Sequence, residues 1–294
     1  MVPKRGPLST DDHHTFPLDG RDIILLSDEE LLNAHSTAPR LHEYGHVKIT
    51  RVSKSLVIKG GFAVAKSESE NMIFASEFMH LPVPKVHHTF TANIPSAFQT
   101  DLVKAYFIVM DYIPGSTLEK YWPWLDGDAR QLVTQQVAEM IERMQSRCLN
   151  DLPPGPLGRD PEEKFEGPWF TDYGAGPFTT LTDLEAWFNH KIDACTKVNQ
   201  LPAGTPKFQF QDVVFTHQDI APRNLIVDES MKVWLIDWGC AGVYPRGFDQ
   251  AVLRKQSWNG EFADMVLTQL PDQQRDLTKQ YSAIVYGMST GRPL

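Results

Sequence analysis

Three polar side chains of the types that phosphoryl transfer uses lie in one short part of the sequence. Asp219 and Asn224 occur in FTHQDIAPRN (215–224), and Asp237 occurs in LIDWG (235–239). One carboxylate can orient a hydroxyl group and accept its proton, while a second carboxylate and a carboxamide supply the hard oxygen ligands that Mg²⁺ prefers. These residue types indicate transfer of a phosphoryl group to a hydroxyl. The alternative is that all three are ordinary polar residues at loop ends.

The flanking residues predict short strands that would bring these side chains together. The strand-like runs are VVFTH (213–217), NLIVD (224–228) and KVWLIDW (232–238). The last two predict a β-hairpin, which would place Asn224 and Asp237 side by side at its base. Gly239 then gives the chain freedom to turn. The combined pattern, H-x-D-x4-N followed by D-x-G, corresponds to the catalytic loop and the D-F-G segment of protein kinases.

Strand patterns gather in the first part of the chain and helix patterns in the second. Residues 46–61 predict two antiparallel strands and residues 104–113 a buried strand, with a helix at 68–80 between them. Helical spacing follows at 127–149 and 180–198, separated by a long ordered loop, and the tail from about 247 to 288 is mostly helical. A short capped helix is expected at 28–36. This segregation predicts an α+β fold with a β-rich N-terminal lobe, a mainly helical C-terminal lobe and a hinge at 110–115.

The composition excludes several classes of protein. The chain has 294 residues, of which 41% are hydrophobic, and its formal net charge of −9 argues against a general nucleic-acid binder. No apolar run approaches the length of about 18 residues that a membrane-spanning helix needs. Cys148, Cys195 and Cys240 form no CxxC pair, and this sparse count favours a reducing, cytoplasmic compartment. The oligomeric state is left open.

One further motif indicates a different chemistry. HEYGH (42–46) matches the H-E-x-x-H pattern of zinc proteases. That chemistry needs both histidines on one helical face, yet Gly45 interrupts the motif and the strand-like VKITRV follows it. We therefore expect a loop that enters the first strand rather than a zinc site.

The sequence resembles the aminoglycoside phosphotransferase and choline kinase-like group of the protein-kinase-like superfamily, and especially its fungal branch. The likeness extends from about residue 40 to 255. It is carried by LVIKGG (56–61), ESENM before LPVPKV (68–86), IVMDYIPGSTL (108–118), FTHQDIAPRN (215–224) and LIDWGCAGVYPRGFD (235–249). The resemblance implies a two-lobed kinase-like fold with three parts. These are a flexible arm (1–20), an N-terminal nucleotide-binding lobe (21–112) and a C-terminal catalytic and acceptor-binding lobe (113–294).

The resemblance also implies that ATP and Mg²⁺ bind between the lobes. By it, Asp219 is the catalytic base or hydroxyl-orienting group, Asn224 and Asp237 bind Mg²⁺, and His217 buttresses the loop. Lys59 contacts the nucleotide phosphates and pairs with a glutamate of the next helix. Glu68 best fits the E-x-x-x-M spacing for that glutamate, and Glu70 is the alternative. Backbone groups of Met110, Asp111, Tyr112 and Ile113 form the hinge against adenine.

These residues favour an ATP-dependent kinase that phosphorylates a hydroxyl of a small molecule. The alternative is a catalytically weak pseudokinase that binds nucleotide or serves as a scaffold, because no G-x-G-x-x-G precedes Lys59. A protein kinase is less favoured, since no A-P-E-like segment follows DWG. The acceptor and the choice of ATP over GTP are left open. The tail residues Trp258, Glu261, Asp264 and Tyr281 either hold an amine or form an ordinary amphipathic surface.

Overall fold

The β-branched runs of the first half pair into one antiparallel sheet of five strands. The computed structural model describes residues 15–95, 102–171, 173–255, 260–272 and 274–289. The strands are β1 (Arg40–Tyr44), β2 (Val47–Arg51), β3 (Leu56–Gly61), β4 (Val86–Pro95) and β5 (Leu102–Asp111). Their order across the sheet is β1-β2-β3-β5-β4. The two strands expected at 46–61 and the strand expected at 104–113 are therefore confirmed.

Helix α1 (Asp28–Thr37) packs against this sheet. Ser27 and Glu30 form a reciprocal capping box at its first turn, which explains why the helix begins there. Leu31 on its inner side belongs to the same buried cluster as Ile58 and Phe107 of the sheet. The N-terminal lobe therefore has a core of its own.

The segment just before α1 also packs on this lobe. Phe16 and Leu18 are buried, and the N–H of Leu18 donates to the carbonyl of Val52 (2.9 Å). Asp19 accepts a hydrogen bond from the N–H of Lys54 (2.9 Å). These contacts attach residues 16–20, part of the expected arm (1–20), to the N-terminal lobe. Residues 1–14 lie outside the described residues.

Helix α2 (Lys66–Glu77) precedes the hinge in sequence but packs into the core of the other lobe. Its residues Met72 and Ala75 share a buried cluster with Phe215 and Trp238. The helix expected at 68–80 is confirmed. Because its apolar side chains pack with the C-terminal lobe, α2 links the two lobes physically.

After β5 the chain passes through residues 112–115 into the C-terminal lobe. There β6 (Ser116–Thr117), β8 (Leu225–Val227) and β9 (Val233–Leu235) form a small antiparallel sheet, while β7 (Val213–Thr216) pairs with β10 (Gly242–Pro245). The helices of the described part are α3 (Leu118–Tyr121), α4 (Gly127–Met144), α5 (Leu181–Lys197), α6 (Phe248–Lys255), α7 (Gly260–Gln269), α8 (Arg275–Ala283) and α9 (Val285–Met288). The expected hairpin, the two long helices and the helical tail are confirmed. Within the described ranges, no helix combines the length and apolar character that a membrane crossing requires.

The long loop between α4 and α5 is held by its aromatic side chains. Phe165, Trp169 and Phe170 are buried in a second cluster of the C-terminal lobe, together with Phe188 and Tyr281. The rings of Trp169 and Tyr281 stack, with centroids 4.5 Å apart. A loop without regular structure is therefore ordered here by burial of large rings, as the sequence predicted for residues 151–180.

The HEYGH stretch forms part of the sheet. His42 pairs with Ile49, and Tyr44 pairs with Val47, so that only Gly45 and His46 lie in the turn between β1 and β2. The expectation of a loop before the first strand was wrong, because Gly45 at φ 58° permits a two-residue hairpin turn. Among the described residues, no group of three or more His, Cys, Asp or Glu side chains is placed to hold a metal.

Candidate active site

The loop that carries Asp219, residues 217–224, is fixed by a buried carboxylate from α6. Asp249 is 1% exposed and accepts hydrogen bonds from the N–H of Gln218 (2.8 Å) and the N–H of His217 (3.1 Å). Gln218 has φ 63°, a left-handed conformation that is uncommon for a residue with a side chain. Burial raises the pKa of Asp249 to about 7, although the two backbone hydrogen bonds act to lower it. Asp249 therefore supports the strained start of the loop.

His217 holds the same loop from within the core. The ring is fully buried, with Nε2 3.1 Å from the carbonyl oxygen of Ile236 and Nδ1 3.2 Å from the backbone nitrogen of Asp219. Since the N–H of Asp219 can only donate, Nδ1 accepts and Nε2 carries the proton. Burial lowers the pKa of His217, in agreement with a neutral ring. His217 thus lies in the buttressing position that the sequence predicted.

Asp219 directs its carboxylate towards two residues of its own loop. Its Oδ2 accepts a hydrogen bond from Nδ2 of Asn224 (2.8 Å), and its Oδ1 pairs with the guanidinium of Arg223. The side chain is 21% exposed, so a ligand can reach it. A carboxylate offers about four lone-pair sites, and these two contacts therefore leave room for a hydroxyl group.

The β8–β9 hairpin places Asn224 beside the residues around Asp237. At the base of the hairpin, the N–H of Ile236 donates to the carbonyl of Asn224 (3.0 Å). The Nδ2 of Asn224 faces Asp219, and within the described residues its Oδ1 accepts no hydrogen bond. Asp237 adopts a left-handed φ of 67°, and its side chain is 49% exposed. The hairpin brings the two residues together as the sequence predicted.

Lys59 in β3 connects the two lobes electrostatically. Its Nζ lies 2.6 Å from Oε1 of Glu68 in α2 and 2.7 Å from Oδ1 of Asp237. Burial disfavours the charged lysine, but the attraction of Glu68 and Asp237 outweighs it, so the pKa of Lys59 is raised. Of the two glutamates that the sequence left open, Glu68 contacts Lys59, whereas the side chain of Glu70 lies against Gly158.

The two carboxylates respond differently to the one ammonium group. Burial raises the pKa of Glu68, although the attraction of Lys59 acts to lower it. Burial also acts to raise the pKa of Asp237, but attraction and hydrogen bonding by Lys59 outweigh it and lower that pKa. Asp237 is therefore ionised and accessible to a cation, while the buried Glu68 depends on Lys59 for its charge.

Several backbone N–H groups of the expected hinge already donate hydrogen bonds within the protein. The N–H of Asp111 donates to the carbonyl of Lys85 (3.0 Å), and the N–H of Tyr112 donates to the carbonyl of Ser55 (2.7 Å). Met110 lies within β5 and is paired with Val57 of β3. In the part of the chain that the structure describes, no hydrogen bond uses the N–H of Ile113.

A pocket of about 390 Å³ opens beside the 217–224 loop. Its walls come from the 166–174 segment and from α6, α8 and α9, and they include Glu166, Gly167, Trp169, Lys255 and Tyr281. Gly167 lies next to the side chains of Gln218 and Cys240, which places one end of the pocket against the loop. At the other end, Nζ of Lys255 donates to the carbonyl of Pro168 (2.8 Å). The pocket therefore has a carboxylate and an ammonium group in its walls, and its Gly167 end lies beside the side chain of Gln218.

The four tail residues expected near an acceptor do not form one group. Tyr281 lines this pocket but is fully buried, and Asp264 is exposed on α7. Glu261 accepts hydrogen bonds from Nε1 of Trp122 (3.1 Å) and from Arg130 (2.8 Å). Trp258 lies outside the described residues. For Glu261 and Asp264 the structure agrees with the amphipathic-surface alternative.

Sequence reasoning missed Asp249, Glu166 and Lys255. Asp249 lies 31 residues after Gln218, with no local pattern to join them. Glu166 and Lys255 belong to segments that meet only in the folded chain. The one available signal was the density of Trp and Phe in residues 165–170, because large aromatic side chains are usually buried and would fix this segment of the pocket wall.

Comparison with known proteins agrees with this architecture. The profile of the phosphotransferase enzyme family (APH) matches residues 66–283. No curated protein gives a significant match.

Three solved structures illustrate the shared fold. The chain is similar to the gentamicin complex of APH(2″)-IIa, with 17% identity, a TM-score of 0.54 and coverage of 89% of this chain and 87% of that chain. It is similar to ADP-bound aminoglycoside phosphotransferase APH(2″)-Ib, with 17% identity, a TM-score of 0.51 and coverage of 88% and 86%. It is also similar to a thermostable mutant of APH(4)-Ia in a ternary complex with ADP and hygromycin B, with 15% identity, a TM-score of 0.54 and coverage of 87% of each chain. At these identities the likeness concerns the fold, and the expected two-lobed kinase-like fold is confirmed.

Proposed function

The chain belongs to the phosphotransferase enzyme family, and we propose that it transfers the γ-phosphate of ATP to a hydroxyl group of a small molecule. The observation that carries this proposal is the network around Lys59, which joins Glu68 of one lobe to Asp237 of the other at 2.6 and 2.7 Å. A buried lysine between two carboxylates is the arrangement that kinase chemistry uses to position phosphates.

On the nucleotide side, this chain offers a cation and a backbone donor. The ammonium group of Lys59 binds the phosphates, and the N–H of Ile113 binds adenine. The turn between β1 and β2 contains only Gly45 and His46, so it supplies far fewer backbone donors to the phosphates than a glycine-rich loop would. Lys59 therefore carries more of the phosphate binding in this chain.

The residues present fit Mg²⁺ as the accompanying metal. Mg²⁺ is usually held by one or two protein oxygens together with substrate phosphates and waters. The half-exposed carboxylate of Asp237 and the Oδ1 of Asn224 provide such a pair. When bound, the metal neutralises charge on the triphosphate.

On the acceptor side, Asp219 orients the hydroxyl group and takes its proton. The hydroxyl oxygen forms a bond to the γ-phosphorus, the bond from that phosphorus to the β–γ bridging oxygen breaks, and ADP leaves. Asn224 and Arg223 each contact one oxygen of the carboxylate, which fixes its plane before the acceptor binds.

We place the acceptor in the pocket next to Gly167. Glu166 and Lys255 line this pocket together, so it suits a polar molecule whose amine would face Glu166. The gentamicin and hygromycin B of the structural neighbours belong to those proteins, and the acceptor of this chain is proposed only as a small hydroxyl compound.

The experiment that tests the proposal is a calorimetric titration with ATP, with and without Mg²⁺, followed by a screen of hydroxyl compounds for ADP release. Binding that strengthens with Mg²⁺, together with ADP release on one class of compound, supports the kinase. The short turn between β1 and β2 favours a second candidate, a pseudokinase. Absence of ATP binding under both conditions, or binding without transfer to any compound, would support that candidate instead.

A further inference from the structure

Asn71 is a fully buried polar residue that the proposed chemistry does not use. It lies one helical turn after Glu68 on α2, so both side chains leave the same face of the helix. Its Nδ2 donates to the carbonyl of Ala241 (2.8 Å) and to the carbonyl of Trp238 (3.3 Å). Its Oδ1 accepts a hydrogen bond from the N–H of Leu157 (3.2 Å). One side chain therefore joins three segments that are distant in sequence.

Two of these segments carry parts of the candidate site. Trp238 directly follows Asp237, and Leu157 belongs to the loop that continues into the pocket wall at Glu166. The carboxylate of Glu68 lies beside the residue that follows Trp238, since a Cβ built on Gly239 would be 3.7 Å from its Oε2. Helix α2 thus binds the carbonyl of Trp238 through Asn71 and places Glu68 beside the same segment.

This attachment matters because Asp237 is held in an unfavourable conformation. A left-handed φ of 67° at a residue with a side chain persists only where the surroundings determine it. On the preceding side, Ile236 is fixed by Asn224 and His217. On the following side, the attachment comes from α2, which also positions the partner of Lys59.

We infer that Asn71 is a positioning residue that fixes the segment after Asp237 to helix α2, so that the metal-binding carboxylate and the Lys59–Glu68 pair keep a single arrangement. The inference rests on the proposed function for its consequence, but its structural part is independent of that function. Asn71 touches neither nucleotide nor metal, and it acts through the backbone of residues 238–241.

The carboxamide is specific for this task. It supplies two donors for two carbonyl groups and one acceptor for one N–H, whereas Asp supplies no donor when ionised and directs negative charge at two carbonyls. Leu has the same number and branching of side-chain heavy atoms but a larger volume, and it leaves all three buried backbone groups without their partner. Asn71→Asp and Asn71→Leu therefore remove the attachment in two different ways.

The test compares these variants with Glu77→Gln, which changes an exposed residue of the same helix that has no partner among the described residues. In Asn71→Asp and Asn71→Leu, we expect the half-saturating Mg²⁺ concentration and the dissociation constant of Mg²⁺-ATP to rise by about tenfold or more, since partners that orient metal ligands typically contribute 10- to 100-fold. Glu77→Gln should match the unaltered protein. All binding is measured at a temperature where circular dichroism shows each variant to be folded.

Hydrogen exchange without nucleotide or metal gives a second reading. In Asn71→Leu, the amide of Leu157 and the amides of residues 238–243 should exchange faster, while those of β5 should not change. Unaltered exchange in these segments would overturn the inference, as would variants that melt at a lower temperature but bind Mg²⁺-ATP with the original affinity. If the unaltered protein binds no Mg²⁺-ATP, the proposed function fails, and the exchange data alone decide whether Asn71 fixes this segment.

Discussion

Replacement of Lys59 by methionine should make the stability of the fold depend on pH in a new way. Glu68 is buried, with a side chain that is 3% exposed, and Lys59 is its cationic partner at 2.6 Å. Methionine fills a similar volume and carries no charge. The variant therefore leaves one carboxylate inside the protein without compensation.

The size of the effect follows from the state of Glu68. Removal of one partner from a buried ion pair typically costs about 3–5 kcal/mol when the other stays charged. Burial already raises the pKa of Glu68 above its ordinary value of 4.5, and loss of Lys59 raises it further. The folded variant then holds a proton that the unfolded chain releases. The free energy of unfolding of the variant must therefore fall as pH rises above 4.5, the ordinary pKa of glutamate, by at most about 1.4 kcal/mol per pH unit.

The assay is urea unfolding followed by circular dichroism at pH 5, 6, 7 and 8. The quantity of interest is the difference between variant and unaltered protein, because this cancels the titration of Asp249, which is common to both. We expect Lys59→Met to lose more at pH 7 than at pH 5, by at most about 3 kcal/mol from the maximum slope per pH unit, because Glu68 of the unaltered protein already has a raised pKa. The matched control is Lys59→Met with Glu68→Gln, which removes the buried carboxylate and leaves only the half-exposed Asp237 without Lys59, and it should regain most of the loss at pH 8.

Two results would refute this reasoning. The first is a destabilisation of Lys59→Met that is the same at every pH, which would mean that Glu68 does not take up a proton. The second is a double variant no more stable than the single variant, which would mean that lost packing rather than an unpaired charge causes the effect.

Four further substitutions test other parts of the site. Asp219→Asn should abolish ADP release while calorimetry finds ATP affinity nearly unchanged; a loss of binding would make Asp219 structural. Asp237→Ala should weaken Mg²⁺-ATP binding about tenfold or more, as loss of a metal ligand predicts, and unaltered metal dependence in the same titration would contradict its role. In Asp249→Asn, the free energy of unfolding should depend less on pH between about pH 4 and 7. The raised pKa of Asp249, about 7, makes the native protein lose stability as pH rises through that window. An unchanged pH dependence would contradict the raised pKa of Asp249. Gly61→Ala would place a Cβ 1.8 Å from the carbonyl oxygen of His46 at φ 142°, and urea unfolding should show a loss of about 1–3 kcal/mol or more from strain; a neutral result would mean that the turn between β1 and β2 adapts freely.

The parts of the site that sequence could predict are those set by short chain spacing. Asn224 and Asp237 occur at the two ends of a hairpin, and the strands between them are strongly β-branched, so their adjacency follows from local pairing. Lys59 followed from the family resemblance, which is carried in part by LVIKGG (56–61). The choice between Glu68 and Glu70 did not follow, because it depends on how α2 rotates against the sheet.

The parts that sequence could not predict are hydrogen bonds between distant segments. Asn71 reaches Ala241 across 170 positions of the chain, and neither residue belongs to a pattern that identifies the other. The prediction of a loop at HEYGH was wrong for a related reason. HEYGH lacks the alternation of an interior strand because β1 is an exposed edge strand, and an edge strand need not bury either face.

The charges of the site explain why metal should govern nucleotide binding. Within the network, Glu68, Asp219 and Asp237 contribute three negative charges, whereas Lys59 and Arg223 contribute two positive charges, which leaves a net charge of −1. The nearby thiol of Cys240 is affected by the same negative charges. Burial raises its pKa most, and Asp219 and Asp237 raise it further. A triphosphate without metal would enter this field with several negative charges of its own and with few backbone donors from the turn at Gly45 to offset the repulsion. Under the proposed function, the magnesium form of ATP would carry the missing positive charge to Asp237, and the difference between titrations with and without Mg²⁺ measures this contribution.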